Sequence, residues 1–530
     1  YSPGLERIYK MSIVYSLRKI RKLKTIVGIS ACLILTASCT SSRKTYDPTK
    51  KYSPVLLRAD YTLFRNILET SHPSIYWYTT KDSMDYYFEQ GYKTLSDSMT
   101  EIQFRDQLAY VISKIDCGHT SMKGSKAFSK YIDTAFSKAF PFAMKFWSDT
   151  MVITANLRRD DHVLQRGTVV KSINGYDARA LRDTLFNYIT TDGYSANGKY
   201  QSLSTGFAFA NLYKSILGLT DSIDVHYLDE LGMEQQIYVR PYDFKADTMN
   251  NKTLSHGPPA KGNGKKKEKE KPVFYFSPLN LQLDTVMKTG FMTVANFDRS
   301  NHLRKFFRHS FRNLQKNHIR DLIIDVRSNG GGDAGLSTLL TRYIIDHKFK
   351  IADSLYTVKL PSEYNKYIQK SFLNRMLIGL VTRKGKDGKY HFRYFEKHYY
   401  SPKEKYHYDG QVFILIGGNS FSATTLFAGD LKGQKNVTLV GEETGGGFYG
   451  NTAWIIPDVT LPNTGLRFRL PRFRMVVNKD RIKNGRGVMP DVWAIPTVDG
   501  IRYGVDLKAM KVKELIAQQE SRSAHDSENK

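Results

Sequence analysis

The sequence predicts an α/β protein built on a parallel-rich sheet, and two stretches carry that prediction. In Gln411 to Gly447, Val412 to Ile416 is an apolar, β-branched run closed by Gly417 and Gly418. Ala423, Leu426, Phe427 and Leu431 then recur at helical spacing, and Val437 to Val440 is a second apolar run. Strand, helix and strand in that order make a crossover, which joins parallel strands. The second stretch is Asp321 to Val326, an apolar strand entering Ser328-Asn329-Gly330-Gly331-Gly332, with a helix expected over Leu336 to Ile345. Unbroken apolar runs of this kind are what a sheet covered on both faces requires.

Ser420 or Ser422 stands where the helix of the first stretch begins. A helix start offers free N–H groups and the positive end of the dipole, which suits the oxyanion of an acyl transfer; simple N-capping is the competing role for either serine. The stretch resembles the nucleophile segment of the tail-specific (C-terminal processing) serine protease family, which includes the tricorn core. In that family a strand enters a Ser-x-Ser-Ala turn, a helix follows, and a Gly-Glu-x-Thr-x-Gly loop comes after the next strand. Gly441, Glu442, Thr444 and Gly446 match that loop. The resemblance implies a crotonase-like (ClpP-like) catalytic domain, serine-type peptidase activity on peptides or proteins, and no cofactor or metal. It puts the nucleophile on Ser422, with Ser420 as a candidate supporting residue.

At the N-terminus, Tyr1 to Lys10 precede Met11 and read as upstream residues. Arg18, Lys19, Arg21, Lys22 and Lys24 form a basic region before the apolar run Ile26 to Leu35, which is too short to span a membrane. Leu35-Thr36-Ala37-Ser38-Cys39 resembles a bacterial lipoprotein box, although Thr36 departs from the usual leucine. Ile29-Ser30-Ala31-Cys32 competes but would leave almost no apolar region. The expectation is a signal over residues 1–39 and lipidation at Cys39. Because no acidic run follows Cys39, the exported chain is expected to be held by its lipid on the periplasmic side of the outer membrane. Cys117 is then the sole free thiol of the mature chain, which excludes a disulfide framework. About 490 residues remain, enough for two or three domains. A net charge of +28 raises the question of nucleic acid. The aromatics form no RNA-binding motif and an exported protein does not meet nucleic acid, so the expectation is a solvated basic surface, able to touch anionic lipid or acidic glycans.

Residues 52–122 read as an N-terminal helical domain, with one stripe through Leu56, Leu57, Tyr61, Phe64, Ile67 and Leu68 and another through Phe104, Leu108, Val111, Ile112 and Ile115. His72-Pro73-Ser74-Ile75-Tyr76 breaks the helix between them. The domain ends in Asp116-Cys117-Gly118-His119-Thr120-Ser121, where a lone histidine would ordinarily be a structural hydrogen-bonder. The family carries Gly-His-Thr or Ser-His at this place, and its tricorn branch uses that histidine as general base, a role the resemblance gives to His119. Within 141–245, Leu164 to Gly175 and the expected helix Ala178 to Tyr188 are similar to the core of a PDZ domain, which captures peptide termini by strand addition. A plain hairpin with an Asn-Gly turn is the other reading. Residues 246–272, with Pro258-Pro259 and the run KKKEKEK, read as a basic disordered insertion.

The catalytic domain is expected over 273–500. Gly330, Gly332 and Gly335 formally satisfy a dinucleotide-binding pattern, but the strand does not end at the first glycine and no acidic residue closes a neighbouring strand at the proper distance. The phrase resembles instead the family's Asp-x-Arg-x-Asn-x-Gly-Gly signature, whose loop supplies half of the oxyanion hole. That implies Gly331 or Gly330 for one half and Ala423 for the other. Leu470 to Val477 reads as a strand, and Gly487-Val488-Met489-Pro490-Asp491 matches the family's closing phrase. Residues 505–530 comprise a terminal helix over Leu507 to Gln518 and a polar tail from Glu520. One departure stands out: the bacterial branch pairs serine with lysine, and its lysine falls on Gly447. In the tricorn branch a serine and a glutamate orient the histidine; here Cys117 and Gly118 precede the base, and the glutamate place falls near Asn484, with Asp480 the nearest carboxylate. Those two are the candidates for orienting His119. A member without catalysis, binding peptide or an apolar ligand in the same cleft, is the alternative function. For a working pair, an acid limb near an imidazole pKa of about 6.5 is expected.

Overall fold

The computed structural model describes residues 46–135, 138–244, 246 and 279–528. Cys39, the signal segment and nearly all of the 246–272 insertion lie outside the described residues. The C-terminal half is organised on a six-stranded sheet in the order Leu279–Asp284, Thr289–Val294, Asp321–Asp325, Gln411–Ile416, Val437–Gly441 and Val492–Trp493. The first pair is antiparallel and every other pair is parallel. Side chains alternate across the sheet. Leu322, Ile324, Val412, Ile414 and Ile416 join the core that holds Phe427 of the helix Ala423–Leu431 and Leu340 of the helix Ala334–Arg342. Ile323, Phe413, Leu415 and Val440 face the other way, onto Val512 and Ile516 of the C-terminal helix. Both faces are therefore covered, which is why these strands carry no polar alternation.

Three boundaries differ from the sequence reading; the strand expected over Leu470 to Val477 spans only Phe473–Val476. Asp333 accepts a bond from Leu336 N–H, which caps the helix at Ala334 and starts it before its first apolar contact. The C-terminal helix runs from Leu507 to Glu528 and takes in the segment expected as a tail; Arg320, just before the strand Asp321–Asp325, pairs with Glu520 there.

Near the N-terminus, the helices Pro54–Ser71, Lys81–Lys93 and Glu101–Ser113 begin at a proline, at the cap Thr80, and at a Thr100–Gln103 capping box. Their core is not closed on itself. Leu57, Phe64, Leu108 and Ile112 share it with Val459, Leu461, Leu466, Phe468 and Leu470 of the C-terminal half. The buried Asp60 carboxylate ties the same surfaces together by accepting from Asn463 N–H and from Thr464 N–H and hydroxyl.

The middle of the chain forms an antiparallel sheet in the order Glu234–Val239, Ile223–Leu228, Val169–Ile173, Thr150–Asn156 and Phe142–Trp147. Asn174 and Gly175, at φ 49° and 80°, make the tight turn after Val169–Ile173. Helix Ala178–Leu185 follows that turn and continues into a 3-10 turn over Phe186–Tyr188.

Candidate functional site

The carboxyl ends of three adjacent parallel strands, at Asp325, Ile416 and Gly441, feed three loops that meet at one edge of the sheet. Ser420 is fully buried there. Its hydroxyl donates to Val326 C=O at 2.8 Å and accepts from Gly417 N–H at 3.2 Å, so it ties two of the loops to each other.

Ser422 precedes the helix Ala423–Leu431 at φ 57°, ψ −119°, and its side chain makes no capping bond. A non-glycine residue held there stores roughly 1–3 kcal/mol, so the surroundings must impose it. Glycines supply the room: a Cβ on Gly331 would lie 2.7 Å from Ser422 Cβ, and one on Gly446 would lie 3.0 Å from Ser422 N. The strained turn frees the hydroxyl from helix capping, and it meets His119 Nε2 at 3.1 Å.

His119 arrives from the other end of the chain on a turn begun by the left-handed Asp116. Thr120 N–H donates to Cys117 C=O, Thr120 Oγ1 bonds His72 Nε2 at 2.9 Å, and Arg469 N–H donates to Ser121 C=O. The next residues, Met122–Lys123, pair with Arg467–Arg469 as an added strand. His119 is 5 % exposed, and its imidazole rests on the Phe421 ring at 4.7 Å between centroids. Burial, with a smaller contribution from Arg469, pushes it down to about 3, so it is neutral through the physiological range.

On its far side the imidazole faces Asp192, which no sequence motif had marked. Asp192 Oδ1 lies 3.9 Å from His119 Nδ1. That oxygen accepts Gly118 N–H at 2.9 Å, and Gly447 N–H lies near the carboxylate. Burial pushes Asp192 up to about 7, against the lowering effect of those N–H groups and of Arg474. Among the described residues, His119 Nδ1 and Asp192 Oδ2 are buried without a partner. The loop carrying Asp192 is fixed by Thr191 Oγ1 and Ser195 Oγ donating to Gly445 and Thr444 C=O, and by Gly193 N–H donating to Asp116 C=O.

Asp480 and Asn484, the orienting candidates from sequence, are both exposed, and the bonds they make stay within their own turns, to Asn478 and Arg486. This segment turns its arginines inward instead: Arg481 pairs with Asp430, and Arg486 with the buried Glu443. Asp192 therefore stands where either had been expected.

Gly447, at the lysine place, cannot carry a side chain, because a Cβ there would come within 2.5 Å of Gly450 C=O. Gly331 N–H is taken by Asn329 Oδ1 at 2.9 Å. Among the described residues Gly330 and Ala423 give their N–H groups to no acceptor, and Gly330 with Phe421, Gly118, Thr191 and Gly445 lines a cavity of about 360 Å³ beside the serine. Cys117 is buried, donates weakly to Thr452 C=O, and has its thiol pushed up to about 12 by burial. Among the described residues no group of three or more His, Cys, Asp or Glu side chains is arranged to hold a metal ion.

Residues 288–494 match the profile of peptidase family S41. A comparison with curated proteins returned no match. Among solved structures, mature CPAF is similar at 15 % identity and a TM-score of 0.60, over 88 % of this chain and 97 % of that one. Mature CPAF complexed with lactacystin is similar at 16 % identity and a TM-score of 0.59, over 88 % and 98 %. At these identities the likeness is one of fold.

Proposed function

The chain belongs to peptidase family S41 and is a serine peptidase, and on that premise we propose that Ser422 is its nucleophile, His119 its general base and Asp192 the residue that positions the base. The observation that carries this is the 3.1 Å contact between Ser422 Oγ and His119 Nε2, made by residues 303 positions apart. A serine hydroxyl needs a proton acceptor at neutral pH, and a buried neutral imidazole is one. A charged Asp192 beside Nδ1 favours the tautomer with hydrogen on Nδ1, which leaves the Nε2 lone pair facing Ser422. Attack on the acyl carbon then moves the hydroxyl proton to Nε2. The oxyanion develops beside the N–H groups of Ala423 and Gly330, and Nε2 returns the proton to the leaving amine. Water, activated by the same imidazole, releases the acyl group.

In this reading the sheet of 279–493 is a crotonase-like catalytic domain, the helices of 52–122 bring the base, and 141–245 is a PDZ-like module that adds substrate as an edge strand. The substrates are exported proteins or peptides, met by a lipoprotein anchored through Cys39 on the periplasmic side of the outer membrane. Hydrolysis of a fluorogenic peptide library tests the assignment. Ser422→Ala and His119→Ala should each lower kcat by on the order of a thousandfold or more. Wild-type turnover in either variant would rule out the pair.

A further inference from the structure

The helix Ser371–Val381 is eleven residues long and has no buried residue. Phe372, Leu373, Met376, Leu377 and Leu380 are all exposed, Phe372 by 82 % and Leu380 by 65 %. At about 100° per residue these five positions fall within an arc of about 140°, a continuous apolar stripe turned to solvent. The opposite side is seated: Ile378 packs on the cluster formed by Leu355, Phe473 and Leu426, the last from the helix that follows Ser422. The stripe is therefore presented by a fixed helix at a fixed angle.

Its surroundings are strongly basic. Residues 359–397 hold ten Lys and Arg against three Asp and Glu. Lys370, Arg375, Arg383, Lys384 and Lys386 are exposed, and among the described residues none of them sits in an ion pair. An apolar stripe flanked by unpaired cations fits the boundary between headgroups and acyl chains of an anionic leaflet. A second copy fits poorly, because a symmetric contact would set the same positive patch against itself. The helix is far shorter than the roughly 20 residues a span needs, and among the described residues no helix is long and apolar enough to cross a membrane. We propose that Ser371–Val381 lies flat on an anionic lipid surface and docks the peptidase there, independently of any lipid on Cys39.

The test uses the full chain carrying Cys39→Ser, co-sedimented with vesicles of phosphatidylcholine alone or with added phosphatidylglycerol. Binding should require the anionic lipid. Phe372→Ser with Leu380→Ser should weaken it by about tenfold or more. Neutralising Arg383, Lys384 and Lys386 to Gln should weaken it on the order of a hundredfold and flatten its salt dependence. Because all these positions are exposed, turnover of a soluble peptide should stay at the wild-type rate and reports that each variant is folded. As a measurement independent of any loss, Trp emission of Phe372→Trp should shift to the blue on anionic vesicles. Equal partition of wild type and the stripe variant, or no emission shift, overturns the proposal. So does a stripe variant that changes the oligomeric state by sedimentation velocity while its vesicle binding is unchanged.

Discussion

Asp192→Asn separates orientation from scaffolding in this site. The amide oxygen can keep the bond from Gly118, so the loop retains that anchor. The same oxygen faces His119 Nδ1 but no longer carries a charge, so the hydrogen is not held on Nδ1 and the tautomer that carries it on Nε2, pointing at Ser422, becomes populated. An imidazole in that tautomer cannot take the serine proton. A direct carboxylate–imidazole bond lost this way is worth about 10⁴ in kcat. The 3.9 Å separation here makes the coupling looser, so the expected loss is roughly a hundred- to a thousandfold, with KM little changed.

The variant should move stability the other way. Asp192 has a folded value of about 7 against 3.8 ordinarily. The native state thus holds its proton more tightly than the unfolded one, and stability falls as pH rises from 3.8 through about 7 and is level above that. At about 1.4 kcal/mol per pH unit, removing this charge should stabilise the protein above neutrality by roughly 2 to 4 kcal/mol and have little effect in acid. The wild-type rate should also show an acid limb near 7, belonging to the Asp192 carboxyl rather than to the imidazole, which burial keeps neutral down to about 3. In Asp192→Asn that limb should be gone. The assays are kcat/KM against pH on a fluorogenic peptide and chemical denaturation at two pH values. Wild-type kcat in the variant, or an unmoved acid limb, would refute the role given to Asp192.

Asn329→Ala should lower stability by roughly 2 to 5 kcal/mol by denaturant titration, because it leaves buried Gly331 N–H and Val294 C=O without partners, and kcat should fall with the displaced glycine loop. Gly447→Lys should destabilise the fold by its contact with Gly450 C=O and should fail to restore turnover in a His119→Ala background, as read by thermal melting and peptide hydrolysis. Cys117 should resist iodoacetamide in the native protein and react once urea unfolds it, measured by intact mass, because its thiol is buried and pushed up to about 12.

The strands around Ser422 were legible because burial on both faces writes itself into unbroken apolar runs, and the serine because its turn has a local phrase around it. His119 was legible only through resemblance, since nothing near it in the chain reveals that its turn is carried to the sheet edge by pairing with Arg467–Arg469. Asp192 was not legible. Thr191-Asp192-Gly193 looks like any turn, and its carboxylate acquires meaning only when separate loops deliver Gly118, Gly447 and His119 around it. Asp480 and Asn484 were attractive because linear distance from the closing phrase stood in for spatial distance. The inward pull of Arg481 and Arg486 turns both of them to solvent. The helical region also reads as more self-sufficient than it is, because a stripe pattern marks the buried face of a helix without saying which part of the chain buries it.

The most direct measurement is the site and rate of modification of the folded full chain by a fluorophosphonate, mapped by peptide mass spectrometry. One adduct is expected, on Ser422, formed at a rate cut on the order of a hundredfold or more in His119→Ala and absent in Ser422→Ala. An adduct on Ser420, or labelling of the Ser422→Ala protein at the wild-type rate, would contradict the assignment.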